Sequence, residues 1–173
     1  MKAAYIENIG APENIKYAEL PEPKPGDNDV ELIATAVDPI DTYIRSGKYP
    51  IDLPKPFIVG RDLVGSVVKT GRAVSKFKLG DLVWSNNQGY DGRQGSCAEY
   101  LSVREDLLYA LPSGVNPMDA IGVFHSALTA VTGLFWKARI QAGQTIFING
   151  GSGNVGSAVV QLAKAAGARV AVT

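Results

Sequence analysis

Hydrophobic and polar positions change rhythm once along the chain. Up to about residue 114, short apolar or alternating runs are separated by turn residues, among them Pro21, Pro23, Pro25-Gly26, Gly71, Gly80-Asp81 and the stretch 89–95. The clearest run is 30–37, where Val30, Leu32, Ala34 and Ala36 fall on one face of a predicted strand. Further strands are predicted at 2–6, 15–19, 63–70, 82–85 and 98–103. Many short strands with Gly and Pro between them predict a small antiparallel barrel or sandwich. Within this part, Asp38-Pro39-Ile40-Asp41 spells an N-cap, a proline at the first helical position and an acid at N3, and Gly47 suits a helix stop.

Beyond residue 115 the pattern turns to helix, strand, helix, strand. Asn116-Pro117-Met118-Asp119 repeats the helix-start signal, and Ile121, Phe124, Leu128, Val131 and Phe135 follow at helical spacing. Residues 145–149 form a short apolar strand, 154–166 a helix ending at Gly167, and 169–172 a second strand. At the first strand–helix junction stands Gly150-Gly151-Ser152-Gly153-Asn154-Val155-Gly156, which contains G-x-G-x-x-G at Gly151, Gly153 and Gly156. The spacing alone arises by chance in a chain with 19 glycines. Its position after an apolar strand and at the opening of a helix marks it as a dinucleotide fingerprint: a tight turn, close backbone approach to a pyrophosphate, and helix N-terminal amides facing the anion.

Composition narrows the classes. The 173 residues carry 17 basic and 17 acidic side chains, one Cys and one His, with 46% hydrophobic residues. A balanced charge predicts neither a nucleic-acid footprint nor a polybasic membrane patch. One cysteine suits a reducing compartment, and a cytoplasmic location is expected. Zinc needs three or four protein ligands, typically His or Cys, so Cys97 and His125 predict no metal site. No signal-peptide core opens the chain. The uncharged stretch 120–136 contains His125, Ser126, Thr129 and Thr132, which favours a buried helix over a bilayer span.

The charge balance is itself divided. All 17 acids lie at or before Asp119 with 13 of the basic residues, a net −4, while Lys137, Arg139, Lys164 and Arg169 give the remainder +4. The asymmetry predicts a boundary near residue 119 and a C-terminal part compatible with an anionic ligand.

Several segments together resemble a family. Gly60-Arg61-Asp62-Leu63-Val64-Gly65, continuing through Gly71 and Phe77 to Gly80-Asp81-Leu82-Val83, is similar to the long signature of the zinc-independent quinone oxidoreductases, the zeta-crystallin-like branch of the medium-chain dehydrogenase/reductase superfamily. Asp38-Pro39-Ile40-Asp41-Thr42-Tyr43 resembles the family's nicotinamide-side segment, and Gly95-Ser96-Cys97-Ala98-Glu99-Tyr100 its G-x-Y-A-E-Y. Ser126-Ala127-Leu128-Thr129 and the glycine loop extend the likeness to the C-terminus.

The resemblance implies a mainly β GroES-like barrel at 1–120, then at 121–173 the first βα-strand unit of an incomplete doubly wound Rossmann domain. It implies an NADPH-dependent, zinc-independent reductase that transfers hydride to a quinone or activated enone, and a possible homodimer. Zinc-dependent relatives place Cys or His ligands where this chain reads Asp38-Pro39 and Gly60-Arg61-Asp62.

The implied site residues are Tyr43 and Tyr49 as donors to the oxygen on which charge develops, with Asp38, Tyr43, Thr129, Gly151, Ser152, Gly153, Asn154, Val155 and Gly156 at the cofactor. Each tyrosine reads equally well as surface packing. Asp38 stands where the family usually has Asn, and either a helix cap or a cofactor contact explains it. Arg45 reads as a cofactor neighbour or as part of a solvated helix face. His125 and Cys97 read as packing residues. The residue that selects the ribose 2′ group lies about 20 positions past the first glycine. From Gly151 that count reaches Ala171, with no carboxylate, which favours NADP and puts the selecting residues past Thr173. Two strands of a sheet that needs about six predict weak or no turnover by this chain alone. The alternative is a GroES-like fragment that binds or scaffolds without catalysis.

Overall fold

The computed structural model describes residues 1–26, 29–32 and 37–173, with the backbone alone at 29–32. The chain forms two compact units, Met1–Ile121 and Gly122–Thr173.

The first unit is built on antiparallel sheets. β1 (Lys2–Ile6) lies between β2 (Lys16–Glu19) and β4 (Phe57–Ile58). A five-stranded sheet runs β7-β3-β5-β6-β8, with β3 Asp29–Leu32, β5 Leu63–Thr70, β6 Leu82–Ser85, β7 Leu101–Arg104 and β8 Tyr109–Ala110. Of the expected strand at 30–37, residues 33–36 fall outside the described ones. The barrel expectation needs correction: among the described residues the strands form two sheets, and no strand pairing joins β7 to β8 or one sheet to the other. Closure needs a continuous ladder, and β4 and β8, at two residues each, carry too few pairs to extend one.

Alternation sets the core. On β7, Leu101 and Val103 point inward while Arg104 faces out. With Leu63, Val67, Val83 and Leu108 they form the main cluster, each fully buried aliphatic side chain contributing roughly 1.5–3 kcal/mol. The two residues of β4 divide between faces: Phe57 packs with Ile6, Ile44 and Val59, and Ile58 with Ala3 and Ala98. The first group seats the helix α1 (Pro39–Ser46), whose Ile44 it buries.

The helix expected to run on from residue 116 is instead broken. α2 (Pro117–Ile121) closes the first unit, the backbone N–H of its second residue, Met118, donating to the Asn116 side chain at 2.8 Å. α3 (Phe124–Val131) opens the second unit and passes into a π-helical turn at Thr132–Lys137. Gly122 offers no helix propensity, and Val123 leaves the helical region at φ −123°, ψ −12°. The pieces bury Ala120 with Ile121, then Ala130, then Leu134. Leu128 and Phe135 of the expected stripe are therefore left 40% and 36% exposed. No helix among the described residues is long and apolar enough to cross a membrane.

In the second unit β9 (Thr145–Ile148) and β10 (Arg169–Val172) pair in parallel, Thr145 opposite Arg169 and Ile148 opposite Val172. Parallel neighbours need a crossover, which α4 (Asn154–Ala165) supplies. Its core is Leu134, Ile140 and Ala163, flanked by Ile146, Val159 and Val170.

Candidate functional site

Two groups of candidate residues are assembled, one in each unit. In the first, the capping grammar of α1 sets the geometry. Asp38 takes the N-cap with extended backbone at φ −115°, ψ 161°, Pro39 opens the helix, and Asp41 sits at N3. The Asp41 carboxylate accepts the Asp38 backbone N–H at 2.6 Å, so one helix-end donor is satisfied from inside the first turn. At the other end Gly47 is left-handed at φ 78° and its N–H donates to the Ile44 carbonyl at 3.0 Å.

That first turn carries buried charge. Asp41 is 5% exposed and Asp62 fully buried. Burial pushes the Asp41 carboxyl up to about 6; the Asp38 N–H and the Arg61 guanidinium oppose this, while the charges of Asp38 and Asp62 add to it. Arg61 also lies 5.5 Å from the centre of the Tyr90 ring. Burial, helped by the charge of Asp41, pushes the Cys97 thiol up to about 11. At neutral pH Cys97 is therefore a protonated, unreactive thiol.

Tyr43 and Tyr49 flank the helix end on the surface of this unit, 50% and 42% exposed. They are coupled through the backbone: the Tyr49 N–H donates to the Tyr43 carbonyl at 3.1 Å. Arg45 is not a solvated face residue. It is half-buried, its guanidinium donates to the Gly10 carbonyl, and its own carbonyl accepts the Gly10 N–H at 2.8 Å. The side chain ties α1 to the loop after β1.

The second group is the glycine loop between β9 and α4. Gly150 is left-handed at φ 75°. A Cβ on Gly151 would come within 1.8 Å of the Val172 side chain, and one on Gly156 within 2.1 Å of the Gly150 carbonyl oxygen. Gly151 is crowded by Val172 of β10, and Gly156, in the first turn of α4, by the backbone of the loop itself. Gly153 differs, since a Cβ there would meet only the Gly150 oxygen at 3.5 Å, an ordinary contact. Nothing in the protein's own packing demands glycine at 153, whereas a ligand lying against the backbone would. Gly153 is the N-cap of α4, and no side chain caps the helix, leaving its first amides to whatever binds there. Ser152, Asn154 and Val155 line the same turn and are exposed.

Thr129 lies on α3, which packs against α4; it is exposed and its hydroxyl donates to the His125 carbonyl at 3.0 Å. His125 is half-buried on the same helix. Sequence reasoning named Asp41 only as a capping acid. Its burial is the feature missed, and the one signal for it was its place a single turn before the apolar Ile44 on a helix whose far side is polar.

Comparisons with known proteins give the chain's family. The alcohol dehydrogenase GroES-like domain family matches residues 24–113. Over 173 residues the chain is 34% identical to the quinone oxidoreductase of Mus musculus, covering 98% of this chain and 51% of that protein. Over 172 residues it is 36% identical to the chloroplastic NADPH-dependent alkenal/one oxidoreductase of Arabidopsis thaliana, covering 95% of this chain and 44% of that one. The structure of Escherichia coli quinone oxidoreductase complexed with NADPH superposes with a TM-score of 0.85 at 27% identity, over 99% of this chain and 52% of that chain. The chain thus spans about half the length of the curated relatives it matches. It belongs to the quinone oxidoreductase, zeta-crystallin-like branch of the medium-chain dehydrogenase/reductase superfamily and carries that superfamily's GroES-like domain.

Proposed function

We propose that this chain is the GroES-like substrate domain, residues 1–120, and the opening βα-strand unit of a Rossmann domain, residues 121–173, of an NADPH-dependent, zinc-independent reductase acting on quinones or activated enones. The observation that carries the reading is the difference among the three fingerprint glycines. Gly151 and Gly156 are crowded by neighbouring atoms, whereas a Cβ on Gly153, at an uncapped helix end, would make only an ordinary contact with the Gly150 oxygen at 3.5 Å. Residues 151–156 would hold the pyrophosphate there, with Thr129 and the α1 segment of Asp38 and Tyr43 assigned to the nicotinamide side by family resemblance. When bound, NADPH supplies the hydride.

The protein's own part is orientation and hydrogen bonding. Tyr43 and Tyr49 present phenols, which would donate to an acceptor oxygen as negative charge builds on it. A quinone or enone is electrophilic without a metal, which matches a chain with one Cys, held as a thiol, and one His. NADPH over NADH is supported by the names of the relatives. The family resemblance adds a homodimer to this reading, and the single cysteine a cytoplasmic location.

The proposal is tested on the full 173-residue chain by calorimetric titration with NADPH. Gly153→Val is expected to abolish binding while leaving the circular dichroism and Tm nearly unchanged, and Gly156→Ala to lower Tm by crowding the Gly150 carbonyl. Saturable NADPH binding that survives Gly153→Val would contradict the cradle; no binding to the parent chain would favour the non-catalytic GroES-like reading. Because β9 and β10 form only a two-stranded sheet with Phe147 68% exposed, we expect the isolated chain to turn over little. Steady NADPH oxidation with a simple quinone at about 1–1,000 per second would refute that expectation.

A further inference from the structure

Asn149 and Gly150 join the end of β9 to the glycine loop, and they are the only asparagine–glycine pair in the chain. An asparagine amide is open to attack by the backbone nitrogen of the residue that follows it, which closes a five-membered ring. In folded proteins a bulky following side chain or a hydrogen bond on that nitrogen holds the reaction back. Neither protects Asn149. Both residues are exposed, and the position a Cβ would take on Gly150 has nothing within 4 Å of it.

The nucleophile is left free by the backbone. The residues on either side are tied to the end of β10: the Thr173 N–H donates to the Ile148 carbonyl at 3.2 Å, and the Gly151 N–H donates to the Thr173 carbonyl at 2.9 Å. The Gly150 N–H between them is skipped and has no hydrogen-bond partner among the described residues. The turn itself calls for glycine here, since φ is 75° at this position. The electrophile is prepared as well. The Thr173 hydroxyl donates to Asn149 Oδ1 at 3.0 Å, the oxygen on which negative charge builds when a nucleophile adds to Cγ.

We propose that Asn149 is a site of spontaneous deamidation. The Gly150 nitrogen gives up its proton to solvent and bonds to Asn149 Cγ, the Cγ–Nδ2 bond breaks, and ammonia leaves. Water then opens the succinimide at either carbonyl, yielding aspartate or isoaspartate. One water is consumed and one ammonia released, and nothing is oxidised. Either product puts a carboxylate directly before the loop assigned to the pyrophosphate, in a unit whose charged side chains, Lys137, Arg139, Lys164 and Arg169, are all cationic. Isoaspartate also lengthens the main chain ahead of Gly150, whose carbonyl accepts the Gly153 N–H at 3.1 Å within the turn. The conversion stands on Asn149 and Gly150 alone; its consequence, weaker NADPH binding, rests on the reductase reading above.

The test is peptide mapping by mass spectrometry on the full chain held in mildly alkaline buffer. The Asn149 peptide is expected to gain the mass of an amide-to-acid exchange and to separate into aspartyl and isoaspartyl forms before any other asparagine converts. Asn149→Gln, whose longer side chain would have to close a six-membered ring, is expected to keep its amide over the same period. Asn149→Asp, a homogeneous copy of one product, is expected to bind NADPH about tenfold more weakly than the fresh parent chain in calorimetric titration, the scale of one added like charge beside an anion. An Asn149 that keeps its amide, or loses it no faster than the other asparagines, overturns the site and leaves the reductase reading standing. Undiminished NADPH affinity in Asn149→Asp overturns the consequence. A parent chain that converts at Asn149 but never binds NADPH overturns the NADPH reading and leaves the modification site standing.

Discussion

The two units invest their apolar residues differently. In Met1–Ile121 the sheets have distinct buried clusters, with Leu63, Val83 and Leu108 wholly inaccessible. In Gly122–Thr173 one small core of Leu134, Ile140 and Ala163 lies beneath a single crossover helix, while Phe147 and Trp136 are 68% and 69% exposed. A sheet of two strands, with α4 against it and α3 against α4, buries little to offset the entropy of ordering its chain. The first unit has the means to fold by itself; the second carries its glycine loop on a scaffold that does not.

The largest expected effect comes from separating them. Residues 1–121 expressed alone are expected to unfold cooperatively in urea, whereas residues 122–173 alone should show no cooperative transition and little helical circular dichroism. A sharp transition in the shorter piece would break the comparison at its root.

Single core substitutions sharpen it. Leu63→Ala opens a hole in the main cluster and is expected to cost about 2–5 kcal/mol in the urea unfolding of the full chain. Leu134→Ala, at the small core, is expected to cost at the low end of that range, about 2 kcal/mol, because fewer packed neighbours hold the hole open and the turn around it can collapse. Equal losses at the two sites would mean that the second core is as tightly built as the first.

The same contrast explains what the chain's pattern made legible. β1, β5 and β6 fall at their expected bounds, because alternation and flanking turn residues mark them. So does α1, because its start and stop are written in capping residues. β4 and β8 were not read, since two residues cannot display a period; they exist through their pairing with β1 and β6. The break at Gly122-Val123 was overridden by an apolar stripe that runs through it. Of the candidate site, the glycine loop between strand and helix followed from spacing, but the difference between the crowded Gly151 and Gly156 and the uncrowded Gly153 is a three-dimensional fact. The same is true of Asp41, whose sequence position announces a cap and whose burial depends on Ile44 drawing that turn of α1 into the core.

Asp41 gives the smallest expected effect and the one most specific to the first unit. Its carboxyl is raised from 3.8 to about 6, so the folded protein holds a proton that the unfolded chain releases at lower pH. The stabilisation is therefore fully present below pH 4 and is lost as pH rises from about 4 to about 6, after which stability levels off. Two pH units of displacement set a ceiling of about 3 kcal/mol, and relaxation around the carboxylate should leave the measured slope nearer 1. Asp41→Asn keeps an acceptor for the Asp38 N–H and removes the ionisation. Across pH 4–6 its stability relative to the parent should rise, leaving it as stable or more so at pH 7, both in the full chain and in residues 1–121. Parallel curves for parent and variant would show that the buried turn of α1 already admits enough water to solvate its charge, and the first unit would lose part of its claim to be the better sealed of the two.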